Sequence, residues 1–309
     1  MKMRRLGASG LKVSEVGLGC NNFGMRIDQT ETKAVVDAAL DAGITLFDTA
    51  DIYGGTKSEE FLGKALGKRR GDIVLATKFG MAVGGDETKK GGSRRWIMRA
   101  VEDSLTRLGT DWIDLYQFHT PDADTPIDET LRALDDLVTQ GKVRYIGNSN
   151  FSGWQIADAD WTAAGATRFV SAQNQYSLLE RRAEFEVLPA SEHFGLGFLP
   201  FFPLASGLLS GKYKRGEKPP EGTRLAVWGS RAAAALSDRN FDKVEKLTAW
   251  AEERGHTILE LAFAWLLGHE VVSSVIAGAT SAEQVRTNAA TAAWALTPEE
   301  VKEVGDLIA

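Results

Sequence analysis

Asp48, Tyr53, Lys78 and His119 are the residues of this chain whose types and spacing could move a proton. Each follows an apolar, β-favouring run: Asp48 and Tyr53 in ITLFDTADIYGG, Lys78 in IVLATKFG and His119 in DLYQFHTPD. A phenol titrates near about 10 and is a poor proton donor at neutrality unless a neighbouring cation stabilises its anion. Lys78 could lower the pKa of Tyr53, and Asp48 could keep Lys78 charged and oriented. His119 could hydrogen-bond a substrate oxygen or help pass a proton. Together the four suit the protonation of an oxygen that is gaining negative charge, as in carbonyl reduction. Singly, each has a bland reading: a capping Asp, a rim aromatic, a solvated Lys, a core His. Their joint position at the ends of three consecutive strands favours the chemical one.

That arc needs a sheet to hold it. Eight apolar runs read as strands: Val16 to Gly19, Ile44 to Phe47, Ile73 to Thr77, Ile113 to Gln117, Val143 to Gly147, Phe169 to Gln173, Leu196 to Phe201 and Ser273 to Ala277. Most start roughly 25 to 40 residues apart, the length of one βα unit. Helical stripes lie between them, such as Ile97, Val101, Leu105 and Leu108, or Ile127, Leu131, Leu134 and Val138 after a start at Thr125-Pro126. Thr56 with Glu59, Ser281 with Gln284, and Thr297 with Glu300 have capping-box spacing. The expected fold is α/β, a single (β/α)8 TIM barrel over residues 1–309, preferred to an open doubly wound sheet. A long irregular stretch at about 205–236 is expected to be a functional loop.

Composition narrows the partners. The net charge of −6 gives no general attraction to nucleic acid or anionic lipid, and 43% hydrophobic residues suffice for a large core. No apolar run approaches the roughly 20 residues of a membrane span, and the opening MKMRRLGASGLKV has no apolar segment after its basic residues. A single cysteine, Cys20, agrees with a reducing compartment, so a cytoplasmic location is expected. Four histidines without HxH or HExxH leave no metal site to expect.

The segments FDTADIYG, LATKFG, YQFHTPD, IGNSNF, QNQYSLLER, PLASGLLSGKY and IAGATSAEQVRTN follow one another over almost the whole chain. In that order they resemble the aldo-keto reductase family, in particular its bacterial general-reductase and potassium-channel β-subunit branches. The resemblance implies a (β/α)8 barrel, reduction of small aldehydes or ketones with NADP(H) preferred over NAD(H), and Asp48, Tyr53, Lys78 and His119 as the catalytic set, with Tyr53 the general acid. A Rossmann site is not expected, because Gly17-Leu18-Gly19-Cys20-Asn21-Asn22 lacks the third glycine.

Instead the resemblance implies an extended cofactor across the barrel mouth. Gly19, Cys20, Asn21 and Asp48 would border it. Ser149, Asn150 and Gln173 would hold the carboxamide of nicotinamide, and Phe201, followed by Phe202, would stack on the ring. Pro203, Leu204, Ser206 and Gly207 would approach the pyrophosphate, with Lys212 and Arg224 supplying charge. Gly278, Thr280, Gln284 and Asn288 would bind the adenosine end at a helix N-terminus. Thr287 stands where related chains often have Glu, and Phe201 where many have Tyr or Trp.

Asn22, Phe23, Ile52, Met81 and Trp228 are candidates for the substrate wall. With the chain ending at Ala309 soon after the helical segment that starts at Thr297, an open pocket and a broad substrate range are expected. Two other readings stand beside reduction: an NADPH-binding sensor with little turnover, and a Schiff-base aldolase using Lys78 as nucleophile. Glycoside hydrolysis is disfavoured, since no pair of carboxylates ends strands four and seven. The sequence does not fix an oligomeric state.

Overall fold

The computed structural model describes residues 1–309 apart from the side chain of Arg231. A hairpin of β1 (Met3–Arg5) and β2 (Lys12–Ser14) precedes eight parallel strands: β3 (Val16–Gly19), β4 (Leu46–Asp48), β5 (Val74–Phe79), β6 (Ile113–Phe118), β7 (Val143–Ser149), β8 (Phe169–Gln173), β9 (Gly197–Phe198) and β10 (Val275–Gly278). The strand order is β10-β3-β4-β5-β6-β7-β8-β9. The two ends meet: Phe198 N–H donates to Val271 O at 2.8 Å, Ser273 N–H to Phe198 O at 3.0 Å and Ile276 N–H to Pro200 O at 3.2 Å. The sheet is therefore a closed (β/α)8 barrel, as expected from the eight runs. The run at Leu196 to Phe201 shortens most, because Pro200 has no N–H to give to a ladder.

Strand period positions the polar residues. Leu46, Ala76 and Leu115 pack with Leu199, Ile276 and the hairpin's Leu6 and Val13 in a cluster of their own. Two residues further along the same strands, and so on the same face, come Asp48, Lys78 and Gln117. An apolar layer thus underlies a polar one. A second, larger cluster fills the space between strands and helices, where the stripe Ile97, Val101, Leu105 and Leu108 is buried.

Helix starts follow local chemistry, with exceptions. Thr297 and Glu300 form the expected capping box, and Asp28 with Glu31 forms another at helix Gln29–Asp41. Ser281 accepts from Gln284 N–H, but the Gln284 side chain turns to Thr280 N–H at 2.9 Å. The Thr56–Glu59 box does not form. Thr56 is left-handed at φ 81° and makes no side-chain cap, while Glu59 points inward to Thr77 Oγ1 at 2.6 Å and Arg107 Nε at 2.7 Å. Thr125 does not cap the helix Ile127–Thr139 either. Pro126 is its N-cap and the Thr125 hydroxyl donates to Asp122.

The stretch at 205–236 is partly regular, with a 3-10 turn Ala205–Ser210, a helix Arg224–Trp228 and a second 3-10 turn Gly229–Ala232. Ala205, Ser206 and Gly207 all have positive φ there. Among the described residues no helix is long and apolar enough to cross a membrane.

Candidate active site

At the carboxyl ends of β4 and β5 the Lys78 ammonium lies 2.5 Å from Asp48 Oδ2, 2.9 Å from Thr49 O and 3.5 Å from the Tyr53 hydroxyl. Lys78 is fully buried, so its three donors are all spent inside the protein. Asp48 Oδ1 in turn accepts from Gln117 Nε2 and Gln173 Nε2, both at 2.9 Å. His119, two residues beyond Gln117, sets its ring edge-on to Tyr53 with centroids 5.8 Å apart. Its Nδ1 is buried without a partner among the described residues.

The electrostatics revise one expectation. Burial raises the Tyr53 pKa above its ordinary value, and the Lys78 cation offsets only part of that rise, which Asp48 reinforces. Tyr53 thus holds its proton at neutral pH. Burial pulls Lys78 down, but the Asp48 carboxylate and Tyr53 leave it above its usual value. An amine held as ammonium has no lone pair to attack a carbonyl, which argues against Lys78 as a Schiff-base nucleophile. Burial, with Lys78 nearby, lowers His119 to about 3. His119 is therefore a neutral hydrogen-bonding group there, ill-suited to act as a proton carrier.

Asp48, Tyr53 and His119 floor one end of a cavity of about 510 Å³ that extends to the segment after β9. Gly19, Cys20, Asn21, Asn22, Asp48, Tyr53 and His119 line it, with Ser149, Asn150 and Gln173 from β7 and β8. Phe201 to Leu204, Ser206, Gly207, Lys212 and Arg224 continue the wall, and Gly278, Thr280 and Gln284 close it beyond β10. Cys20 is a buried thiol whose pKa is pushed up by burial and by Asp48. Asn150, at φ 60°, donates to His119 O at 2.9 Å. Gln173 spends its amide N–H groups on Asp48 and Gln117, leaving its oxygen for a ligand.

At the far end Lys212 and Arg224 face Arg26. Burial and the neighbouring cations lower the pKa of both Lys212 and Arg224, the mark of a site short of negative charge. Arg26 also donates to Gly222 O, tying the loop after β3 to the 205–236 segment.

Several sequence-based candidates fall elsewhere. Lys78 lies beneath the floor instead of on it, and Asn288 is buried beside the cavity without lining it. Phe23 is wholly enclosed in the apolar core, so it cannot wall a pocket. Ile52, Met81 and Trp228 do not line the cavity, and Met81 and Trp228 are exposed. Gln117 and Arg26 were missed. Gln117 has the period-two position before His119 that would have found it, whereas the loop carrying Arg26 has no such signal.

The aldo/keto reductase family model matches residues 15–309. The chain is 40% identical to an uncharacterized oxidoreductase, YrpG, of Bacillus subtilis, over 99% of this chain and 96% of that one. It is 38% identical to a probable voltage-gated potassium channel subunit beta of Oryza sativa subsp. japonica, over 98% and 95%. It is also 35% identical to a versiconal hemiacetal acetate reductase of Aspergillus parasiticus, over 98% and 95%. Matched in family and in relatives over nearly its whole length, and built on a closed parallel barrel, the chain belongs to the aldo/keto reductase family of oxidoreductases.

Proposed function

We propose that this chain is an NADPH-dependent reductase of small aldehydes and ketones, with Tyr53 as general acid. One observation carries the reading: a protonated, half-buried phenol 3.5 Å from a buried ammonium faces the same cavity as three clustered cations. The cavity also fits an extended dinucleotide chemically. Asn22 Oδ1 and His119 Nδ1, both on its lining residues, are buried without partners among the described residues and call for a polar ligand.

In this reading Arg26, Lys212 and Arg224 hold the phosphates, which supports NADPH over NADH. Pro203, Leu204, Ser206 and Gly207 pass along the pyrophosphate, and Gly278, Thr280 and Gln284 meet the adenosine end. Phe201 covers the nicotinamide, whose carboxamide meets Ser149, Asn150 and the Gln173 oxygen. Bound NADPH supplies a hydride to the carbonyl carbon. Tyr53 gives its proton to the carbonyl oxygen as charge develops there, and Lys78 stabilises the phenolate left behind. Asp48 keeps Lys78 charged. Neutral His119 hydrogen-bonds the oxygen and orients it. The whole chain acts as one barrel domain, with 205–236 folding over the cofactor, in a reducing compartment such as the cytoplasm.

The test is Tyr53→Phe. Fluorescence titration is expected to show unchanged NADPH binding, while turnover on a panel of small carbonyls falls by about a thousandfold or more. Full turnover would defeat the reading. A cofactor sensor with little turnover is the second reading, favoured by the name of the rice relative. Tight NADPH binding by the unaltered chain without turnover on any carbonyl would select it.

A further inference from the structure

Behind the turn that carries Tyr53 lies a second cavity, of about 560 Å³, bordered by Asp51, Ser93, Arg95, Trp96, Arg99 and Arg107. Asp51 is 1% exposed, and among the described residues its carboxylate oxygens have no hydrogen-bond partner of good geometry, only the adjacent Ile52 N–H acting weakly on the group. The indole N–H of Trp96, 7% exposed, has none either. Native proteins pair nearly all such groups, so two on one cavity wall ask for a ligand.

The charged and titratable groups that Asp51 faces are Glu59 on helix Lys57–Leu66, Arg107 on helix Arg94–Leu108, Lys78 on β5 and Tyr116 on β6. Neither cation is free for it. Arg107 is bound to Glu59 at 2.7 Å, and Lys78 to Asp48 at 2.5 Å. Burial and the Glu59 carboxylate push the Asp51 pKa well up, as befits an acceptor still lacking its cation. Toward the solvent, Arg94 and Arg99 are paired with Asp136 and Asp103, and Lys89 with Asp86. Arg95, between them, has no carboxylate partner among the described residues. The cavity therefore has a buried carboxyl group, held protonated until a cation meets it, and a rim cation in want of an anion.

We propose that this cavity is a second small-molecule site that takes a zwitterion, its ammonium group on Asp51 and its carboxylate on Arg95. An α-amino acid is the smallest molecule of that class. The indole N–H of Trp96 supplies a further donor to the bound carboxylate.

Calorimetric titration of the full chain with each standard L-amino acid tests this, beside Asp51→Asn, which nearly keeps the shape, and Arg95→Gln at the rim. Saturable binding of at least one amino acid, one per chain, is expected, and each variant should weaken it by about tenfold or more. A urea midpoint close to that of the unaltered chain shows each variant folded. If Asp51→Asn does not fold, Arg95→Gln carries the same test. The proposal fails if no amino acid binds with a Kd of about 10 mM or tighter. It fails too if binding survives both variants, or if acetate binds as well as the amino acid.

Discussion

Lys78 Nζ sits 2.5 Å from Asp48 Oδ2, with both groups buried, and this pair holds the Tyr53 hydroxyl 3.5 Å away. Removing one partner of a buried ion pair leaves the other charged and unsolvated, at about 3 to 5 kcal/mol. Asp48→Asn and Lys78→Met should each lose about that much stability, read as a drop in urea midpoint. The double variant should recover part of the loss, since no lone charge remains. If the two single losses simply add, the pair is not coupled.

His119 makes acid stability measurable. Its native pKa is about 3 against an ordinary 6.5, because burial and Lys78 oppose its charging. The unfolded chain therefore takes up a proton below about 6.5 that the native chain refuses, and stability falls by roughly 1.4 kcal/mol per pH unit as pH drops through that window. In His119→Asn the slope between pH 6 and 4, to which His119 contributes about one proton alongside the likewise depressed His269, should lessen by about one proton. An unchanged slope in a denaturant series would assign the titration to another group.

The barrel and the arc of Asp48, Tyr53, Lys78 and His119 were legible because apolar runs and the polar residues ending them are local features. Other contacts were hidden because they depend on pairs distant in the chain. Glu59 stands three residues after Thr56 and reads as a capping partner, yet tertiary burial takes it to Thr77 and to Arg107, 48 residues on. Phe23 reads as a rim aromatic beside Asn22, but Asn22 lines the cavity and its neighbour turns into the core. The sign of the Tyr53 shift was also out of reach, since it turns on burial, which no spacing reveals.

Glu59 offers a prediction outside the reacting groups. Its fully buried carboxylate accepts from Thr77 Oγ1 at 2.6 Å and Arg107 Nε at 2.7 Å, joining helix Lys57–Leu66 to β5 and to helix Arg94–Leu108. Arg107→Met should cost about 3 to 5 kcal/mol, because Glu59 is then left as an unpaired buried charge. Glu59→Gln with Arg107→Met should cost less than Arg107→Met alone. Chemical denaturation of the three chains decides it, and equal losses would mean that the charge is satisfied elsewhere.

Lys212 separates stability from cofactor affinity. Burial and the cations Arg26 and Arg224 lower its pKa, so in the cofactor-free chain it sits against repulsion. Lys212→Met should therefore leave the melting temperature of the cofactor-free chain no lower than before. If phosphates lie among these three cations, the same change should weaken NADPH binding by about tenfold and flatten its dependence on salt. NADH, which lacks the 2′-phosphate, then shows whether Lys212 serves the pyrophosphate or the adenosine end. An equal loss for NADH assigns it to the pyrophosphate. A loss confined to NADPH assigns it to the 2′-phosphate and makes Lys212 the residue that sets cofactor preference.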